Sequence, residues 1–328
     1  MKRLLITGFS GFVSRHLLEY LDASGAESEV LGVSRSQPDF PIDKYRSLRC
    51  SFRQLDLLDK PGIDQLIAQF RPTAIVHLAS YSSVGFSWQN PVESFTNNTN
   101  VLLNLIERVR LLGLPCRILS VGSSEQYGNV DAAFLPLRED GPLCPVSPYA
   151  IARVSQEMLS KVYVSGYGLD IVMTRSFNHI GPYQRDLFVI PSFAKQLCAM
   201  RYRAAPARLV TGDRSVIRDF VDVRDVVRGY CDLLLHGQAG EVYNLCSGEG
   251  TSIDHVIATM QRLLGTEAEL ETNPKLVRPN DNRVVVGSLD KIRDAVGWSP
   301  RIPLQQSLEN ILEWWRERVL ASEPHPAS

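Results

Sequence analysis

A chain of 328 residues can hold one large α/β unit or two lobes sharing a cleft, and 44% hydrophobic with 22% charged residues is ordinary for a globular protein. The formal net charge of −1 leaves no basic field to draw in nucleic acid or an anionic membrane, so an anionic ligand must be met by a few local Arg or Lys side chains. Cys50, Cys116, Cys144, Cys198, Cys231 and Cys246 show no CxxC spacing and read as reduced thiols, neither disulfides nor metal ligands; with no signal peptide or membrane-length apolar run, the expectation is a cytoplasmic protein.

Short β-rich runs bounded by turns lie at Arg3 to Thr7, Val30 to Val33, Ala74 to Leu78 and Arg117 to Gly122. Continuous apolar runs of this length suit strands buried on both faces of a parallel sheet. Between them, Arg15 to Leu21, Gly62 to Phe70 and Val101 to Leu112 carry helical periodicity. Alternation of this kind predicts a doubly wound α/β sheet with right-handed crossovers. From about Arg175 the pattern becomes irregular and richer in Pro and Arg. Residues 1–174 are therefore expected to form the sheet domain, with segments near 219–245 and 284–290 returning to it. Residues 175–218 and 246–328 mainly make a smaller C-terminal lobe, ending in a helix over Glu309 to Val319.

The first strand leads into Thr7-Gly8-Phe9-Ser10-Gly11-Phe12-Val13-Ser14, which opens the first helix. Gly8 permits a tight turn, and Gly11 lets backbone N–H groups approach a pyrophosphate at the helix N-terminus; an ordinary strand–helix turn is the alternative. Ser14 stands where such motifs carry a third Gly. After the second strand, Val33-Ser34-Arg35-Ser36 lacks the acidic residue that would bind adenosine ribose hydroxyls. Arg35 offers a planar cation to a 2′-phosphate instead, which predicts NADP(H) as the cofactor. Asp56 and Leu57 suit the adenine edge, or a surface turn.

Val121-Gly122-Ser123-Ser124-Glu125-Gln126-Tyr127-Gly128 closes a strand at the C-terminal edge of the sheet, where doubly wound folds place their chemistry. Tyr149 follows after Pro142, Pro145 and Pro148. Arg153 lies four residues on, hence on the same helical face. Ser123 would hydrogen-bond a substrate oxygen and Tyr149 would exchange a proton with it, the neighbouring cation favouring the ionised phenol.

A Ser/Thr, a Tyr and a Lys four residues after the Tyr, behind a glycine turn, form the catalytic set of the short-chain dehydrogenases/reductases. The chain resembles the extended, sugar-nucleotide branch of that superfamily, in the subgroup of GDP-4-keto-6-deoxyhexose reductases. The resemblance spans the chain. It rests on Gly122 to Gly128, Arg175-Ser176-Phe177-Asn178-His179-Ile180-Gly181-Pro182, Arg218-Asp219-Phe220, Val242-Tyr243-Asn244-Leu245 and Gly297-Trp298-Ser299-Pro300. It implies a Rossmann sheet and NADPH-dependent reduction of the 4-keto group of a GDP-4-keto-6-deoxyhexose, as in GDP-4-dehydro-6-deoxy-D-mannose to GDP-D-rhamnose.

The same resemblance assigns Ser123, Tyr149, Arg153 and Glu125 to catalysis. Gly8, Gly11, Phe12, Val13, Arg35, Asp56, Leu57, Leu78, Ala79, Asn98 and Phe177 go to the cofactor, together with Tyr149 and Arg153. Ser124, Asn178, His179, Val189 and Lys195 would meet the substrate; Arg218 and Arg278 would clamp its diphosphate, and Asp281 would sit near the guanosine. A sugar-nucleotide diphosphate carries two negative charges, which suits guanidinium forks in an otherwise near-neutral lobe. The resemblance also implies a homodimer built on a four-helix bundle, for which Val101, Leu102, Leu105 and Val109 offer an apolar stripe; core packing is the other reading of that stripe.

The departure is Arg153, where the superfamily carries Lys. An arginine keeps the positive charge but cannot release a proton, so a relay through the lysine amine would be blocked. Two alternatives stand beside the reductase. One is a GDP-mannose 4,6-dehydratase or nucleotide-sugar epimerase, with Glu125 as the base. The other is a sugar-nucleotide or NADP(H) binding protein that has lost catalysis.

Overall fold

The computed structural model describes residues 2–277 and 282–321. Its first half runs β1 (Arg3–Thr7), α1 (Phe12–Ala23), β2 (Ser28–Ser34), β3 (Leu48–Gln54), α2 (Lys60–Phe70), β4 (Ala74–His77), α3 (Val84–Gln89), α4 (Pro91–Leu111), β5 (Arg117–Ser123), α5 (Pro148–Tyr167) and β6 (Asp170–Ser176). The second half continues with β7 (Asn178–Ile180), α6 (Val189–Arg203), β8 (Arg208–Thr211), β9 (Ile217–Asp222), α7 (Val223–His236), β10 (Val242–Leu245), β11 (Gly250–Ser252) and α8 (Ile253–Leu264). It closes with β12 (Glu269–Thr272), β13 (Val284–Val285), α9 (Asp290–Val296) and α10 (Leu304–Ala321).

Among the described residues, seven parallel strands form the main sheet in the order β10-β6-β5-β4-β1-β2-β3. The order reverses between β1 and β4, the crevice in which such folds bind ligands. One face is covered by α1 and α7 through Leu17, Leu18, Val226, Val227 and Tyr230. The other is covered by α2, α4 and α5, through residues such as Ile63, Leu66, Leu102, Ile106 and Tyr163. Both faces are thus apolar, as the uninterrupted runs of β1, β4 and β5 require. A separate core among α6, α8 and α10 holds the smaller lobe. No described helix is long and apolar enough to cross a membrane.

Gly240 to Leu245 does supply a main-sheet strand, β10. The return expected near 284–290 does not occur, and that of 219–245 is made by its end alone. β13 pairs with Ile217 and Arg218, so it lies with β7, β9 and β11 in the small sheet and not beside β10. Asp219 to Asp222 belong to that same small sheet. A two-residue strand carries too little pattern of its own to select a partner, and the pairing with β9 decides its place. The stripe Val101, Leu102, Leu105 and Val109 is fully used inside the subunit, at 2% exposure or less, and is core. Exposed apolar side chains on these helices include Ile151, Met158 and Val162 on α5 and Trp88, Val92 and Phe95 on α3 and α4.

Asp219 fastens the two parts together. Its buried carboxylate accepts from the Ser247 N–H and hydroxyl (2.6 and 2.7 Å), the Gly248 N–H (2.9 Å) and the Gly287 N–H (3.2 Å). It thereby joins β9 to the loop leaving main-sheet strand β10.

Candidate active site

The glycine turn forms as its residue types demand. Gly8 has φ +68°, and a Cβ there would sit 2.8 Å from the Ala79 nitrogen, so strand β1 and the segment after β4 meet only because position 8 has no side chain. Gly11 is the N-cap of α1 and supplies no side-chain cap, which leaves the first-turn N–H groups of Phe12 and Val13 to meet an anion. Ser14 is buried and turns its hydroxyl back to the Phe9 and Gly11 carbonyls (2.5 and 2.7 Å), closing the loop where a glycine was the usual expectation.

Around this turn lie most of the residues assigned to the cofactor. Leu78 and Ala79 hang from Thr7, through its carbonyl (3.3 Å) and its hydroxyl (3.3 Å). Asn98 is fully buried, and its amide accepts from the Tyr81 N–H (2.8 Å) and donates to the Tyr81 carbonyl (3.1 Å), so it shapes the wall of the crevice. Arg35 extends from the end of β2 to that wall, its guanidinium 4.6 Å from the Tyr81 ring and bonded to the Tyr81 hydroxyl, which in turn donates to Glu93 (2.7 Å). Asp56 caps its own turn by accepting from Leu58 N–H (2.9 Å), and the Leu57 side chain is core. The Phe177 ring is buried with Tyr127, Leu137 and Cys246, and its main chain pairs with the Leu245 carbonyl (2.9 Å) and the His179 ring (3.1 Å).

Ser123 ends β5. Its hydroxyl accepts from the Glu125 N–H (3.3 Å), while Gln126 reaches back to the Ser123 N–H (2.9 Å), so a capping box fixes the turn that carries Ser124 and Glu125. The helix bearing Tyr149 starts equally firmly, with Pro148 in its first turn and the Ser147 hydroxyl accepting from the Ala150 N–H (3.1 Å). Tyr149 and Arg153 are each 5% exposed, and Arg153 Nε lies 3.2 Å from the Tyr149 oxygen. Arg153 Nη1 donates to the Val121 carbonyl (2.9 Å) and to the Gln156 side-chain oxygen (2.6 Å). Its Nη2 makes no bond to a described residue.

Behind this pair stands His77, completely buried, with Nδ1 2.9 Å from the Thr7 hydroxyl. Burial, aided by the positive charge of Arg153, pushes its pKa down to about 3. Between that value and about 6.5 the unfolded chain binds a proton that the folded chain does not, so stability rises with pH across this window. The expected contribution is about 1.4 kcal/mol lost per pH unit below pH 6.5. Urea denaturation between pH 7 and pH 5 checks it: the His77→Asn protein should show a flatter acid limb, and parallel limbs would contradict the assignment.

The residues assigned to substrate are less gathered. Asn178 and His179 start the small lobe on β7, the His179 ring stacked on Phe12 (5.7 Å between centroids) with burial holding it toward its neutral form. Val189 is exposed at the start of α6. Lys195 turns away to Asp186 (2.6 Å) and lines an open cavity of about 310 Å³ with Tyr183, Trp314 and Arg318. Arg218 is buried in the middle of the small sheet and donates to the Ile217 carbonyl (2.9 Å). Arg278 and Asp281 lie outside the described residues.

Sequence reasoning missed the polar residues that support the site from below. Glu157 accepts from Arg175 through both oxygens (2.9 and 2.9 Å), from Gln126 (2.7 Å) and from Lys161 (2.9 Å). Gln156 and Glu157 could have been noticed as polar residues on a helix whose other inward positions are Tyr149, Ala150, Ala152, Arg153, Ser160 and Tyr163.

A parallel sheet with a glycine turn at its switch point, a Ser at the end of β5 and a Tyr–cation pair on the next helix define a short-chain dehydrogenase/reductase. Residues 5–311 match the sequence family described as GDP-mannose 4,6 dehydratase, and the chain belongs to that family. It is 35% identical to GDP-6-deoxy-D-mannose reductase of Pseudomonas aeruginosa, over 97% of this chain and 98% of that one. Its backbone is similar to a solved structure of RMD from Pseudomonas aeruginosa with NADPH, with TM-score 0.85, 34% identity and coverage of 97% and 100%. A UDP-glucose 4-epimerase of Thermotoga maritima, solved with UDP-glucose, superposes with TM-score 0.86 at 26% identity, covering 97% of this chain and 99% of the other.

Proposed function

We propose that this chain reduces the 4-keto group of a GDP-4-keto-6-deoxyhexose with NADPH. The observation that carries the reading is the Tyr149–Arg153 contact at 3.2 Å, held intact in a chain 35% identical to a GDP-6-deoxy-D-mannose reductase over nearly its whole length. The glycine cradle at Gly8, the open N-terminus of α1 and the cation of Arg35 fit a dinucleotide bearing a 2′-phosphate. When bound, that cofactor supplies a hydride to C4. Ser123 holds the C4 oxygen, and Tyr149 gives it the proton that completes the alcohol. Arg153 keeps a positive charge beside the phenol and presents Nη2 to ribose hydroxyls. Asn178 and His179 receive the sugar and its phosphate, Arg218 and Arg278 clamp the diphosphate, and Asp281 meets the guanosine.

Incubation with NADPH and GDP-4-keto-6-deoxymannose, with the product read by NMR, tests this directly. Formation of the 4-hydroxy sugar is expected; an unchanged ketosugar with NADPH bound would overturn it. The position of Glu125, in the turn directly after Ser123, favours a dehydratase as the second reading. That reading requires a 4-keto product from GDP-mannose without added NADPH.

The role of Arg35 is separable. Exchanging it for Ala should raise the dissociation constant for NADPH by about 10- to 100-fold, the worth of charge-assisted hydrogen bonds to a phosphate, and leave that for NADH within about threefold. Fluorescence titration of both cofactors measures it, and equal weakening of the two would refute a 2′-phosphate contact.

We also propose a homodimer built on a four-helix bundle of α4 and α5, with Ile151, Met158, Val162, Val92 and Phe95 as its apolar face. A monomer by sedimentation at micromolar concentration would argue against it.

A further inference from the structure

Gln156 stands on the buried face of α5, three residues beyond Arg153, and is 1% exposed. Its amide nitrogen donates to the Ser120 hydroxyl (2.9 Å) and the Val121 carbonyl (3.2 Å), both on β5. Its oxygen accepts from Arg153 Nη1 at 2.6 Å. The orientation of this amide is fixed by chemistry: rotated by half a turn, it would press an NH₂ group against the guanidinium and an oxygen against the Val121 carbonyl. Arg153 is therefore held by two acceptors, the Val121 carbonyl and Gln156, on the side away from Tyr149.

A guanidinium is planar, so fixing one Nη sets the plane and with it the place of Nε and Nη2. A lysine ammonium is a rotor that presents no such plane. The holder is also uncharged. A carboxylate in its place would offset the positive charge that the Tyr149 phenol feels at 3.2 Å. Glu157, the neighbouring acid, is turned instead to Arg175, Lys161 and Gln126.

We propose that Gln156 is the positioning residue that allows an arginine to occupy the place of the usual lysine, fixing the guanidinium plane without cancelling its charge. The proposal rests on the reading of Tyr149 as proton donor in ketosugar reduction.

The test is a cycle of four proteins: wild type, Gln156→Met, Arg153→Lys and the double variant. Each is assayed with NADPH and GDP-4-keto-6-deoxymannose for kcat and KM, and for NADPH affinity by fluorescence titration. In the presence of Arg153, Gln156→Met should lower kcat about 10- to 100-fold and weaken NADPH binding severalfold, with KM for the sugar within about threefold, as expected for losing a charged hydrogen bond. In the Arg153→Lys background the same change should alter kcat and NADPH affinity by less than about threefold. Equal losses in both backgrounds would mean that Gln156 only packs the helix, and would overturn the proposal. If wild type binds NADPH but reduces no ketosugar, the proposed function fails, while the NADPH affinities still decide the role of Gln156. Should Gln156→Met not fold, Ser120→Ala removes the shorter of the two anchors of that amide nitrogen while sparing its oxygen. A roughly 3- to 10-fold fall in kcat confined to the Arg153 background would then support the proposal, and no fall would refute it.

Discussion

Tyr149→Phe should lower kcat for ketosugar reduction by about 10²- to 10⁴-fold, the range over which positioned acid–base groups act. The substitution deletes one oxygen and keeps the ring. That ring is 5% exposed on a helix fixed at its start by Ser147 and Pro148, so the fold has little to lose besides the bond from Arg153. Melting temperature and NADPH affinity should therefore stay close to wild type while turnover collapses. A loss below about fivefold would mean that the proton reaches the substrate oxygen by another route. Arg153→Lys, by contrast, restores an amine beside the phenol and is expected to remain within about tenfold of wild type. A large gain from near zero would instead mark the natural chain as a binding protein in which the arginine had silenced the chemistry.

The largest expected effect on stability comes from Glu157→Ala, at about 3–5 kcal/mol. Glu157 and Arg175 are 4% and 2% exposed, and their bidentate contact satisfies both ions where water cannot. Removing the carboxylate strands a buried guanidinium and frees the Gln126 amide, which otherwise holds the turn after Ser123. Replacing both ions by Met should cost much less than the sum of the two single changes, since no charge is then left unpaired. Urea denaturation of the two single variants and the double variant measures this, and additive losses would contradict it. The pair also carries a pH signature. Burial pushes the Glu157 carboxyl up, but Arg175 and Lys161 outweigh it and hold the group below its usual range. The folded state then binds fewer protons than the unfolded chain, so this contribution is complete above the ordinary glutamate pKa of about 4.3 and disappears as pH falls through the lower folded value.

How far such features could be read from the chain depends on how local their causes are. The glycine turn, the strand ends and the shared face of Tyr149 and Arg153 are set within a few residues, and the structure has them where the spacing puts them. The stripe from Val101 to Val109 left two readings open because an interface and a core demand the same apolar periodicity; only contacts from distant segments, such as Ile63 and Tyr163, distinguish them. Val284 and Val285 were legible as a strand but not as a neighbour of Ile217, a pairing made across more than sixty positions. Gln156 and Glu157 look like ordinary polar residues of a helix until Arg153 and Arg175 arrive beside them.

Asp219 has a mechanical consequence. Its four bonds run from a buried carboxylate in the small sheet into the partly exposed loop that leaves β10 and into buried Gly287. Neither lobe can open at this seam without parting a buried carboxylate from three main-chain N–H groups and a hydroxyl together. The two lobes should accordingly melt as one cooperative unit, with a single calorimetric transition, and adjustment to an incoming sugar nucleotide falls to the loops at the rim of the cleft.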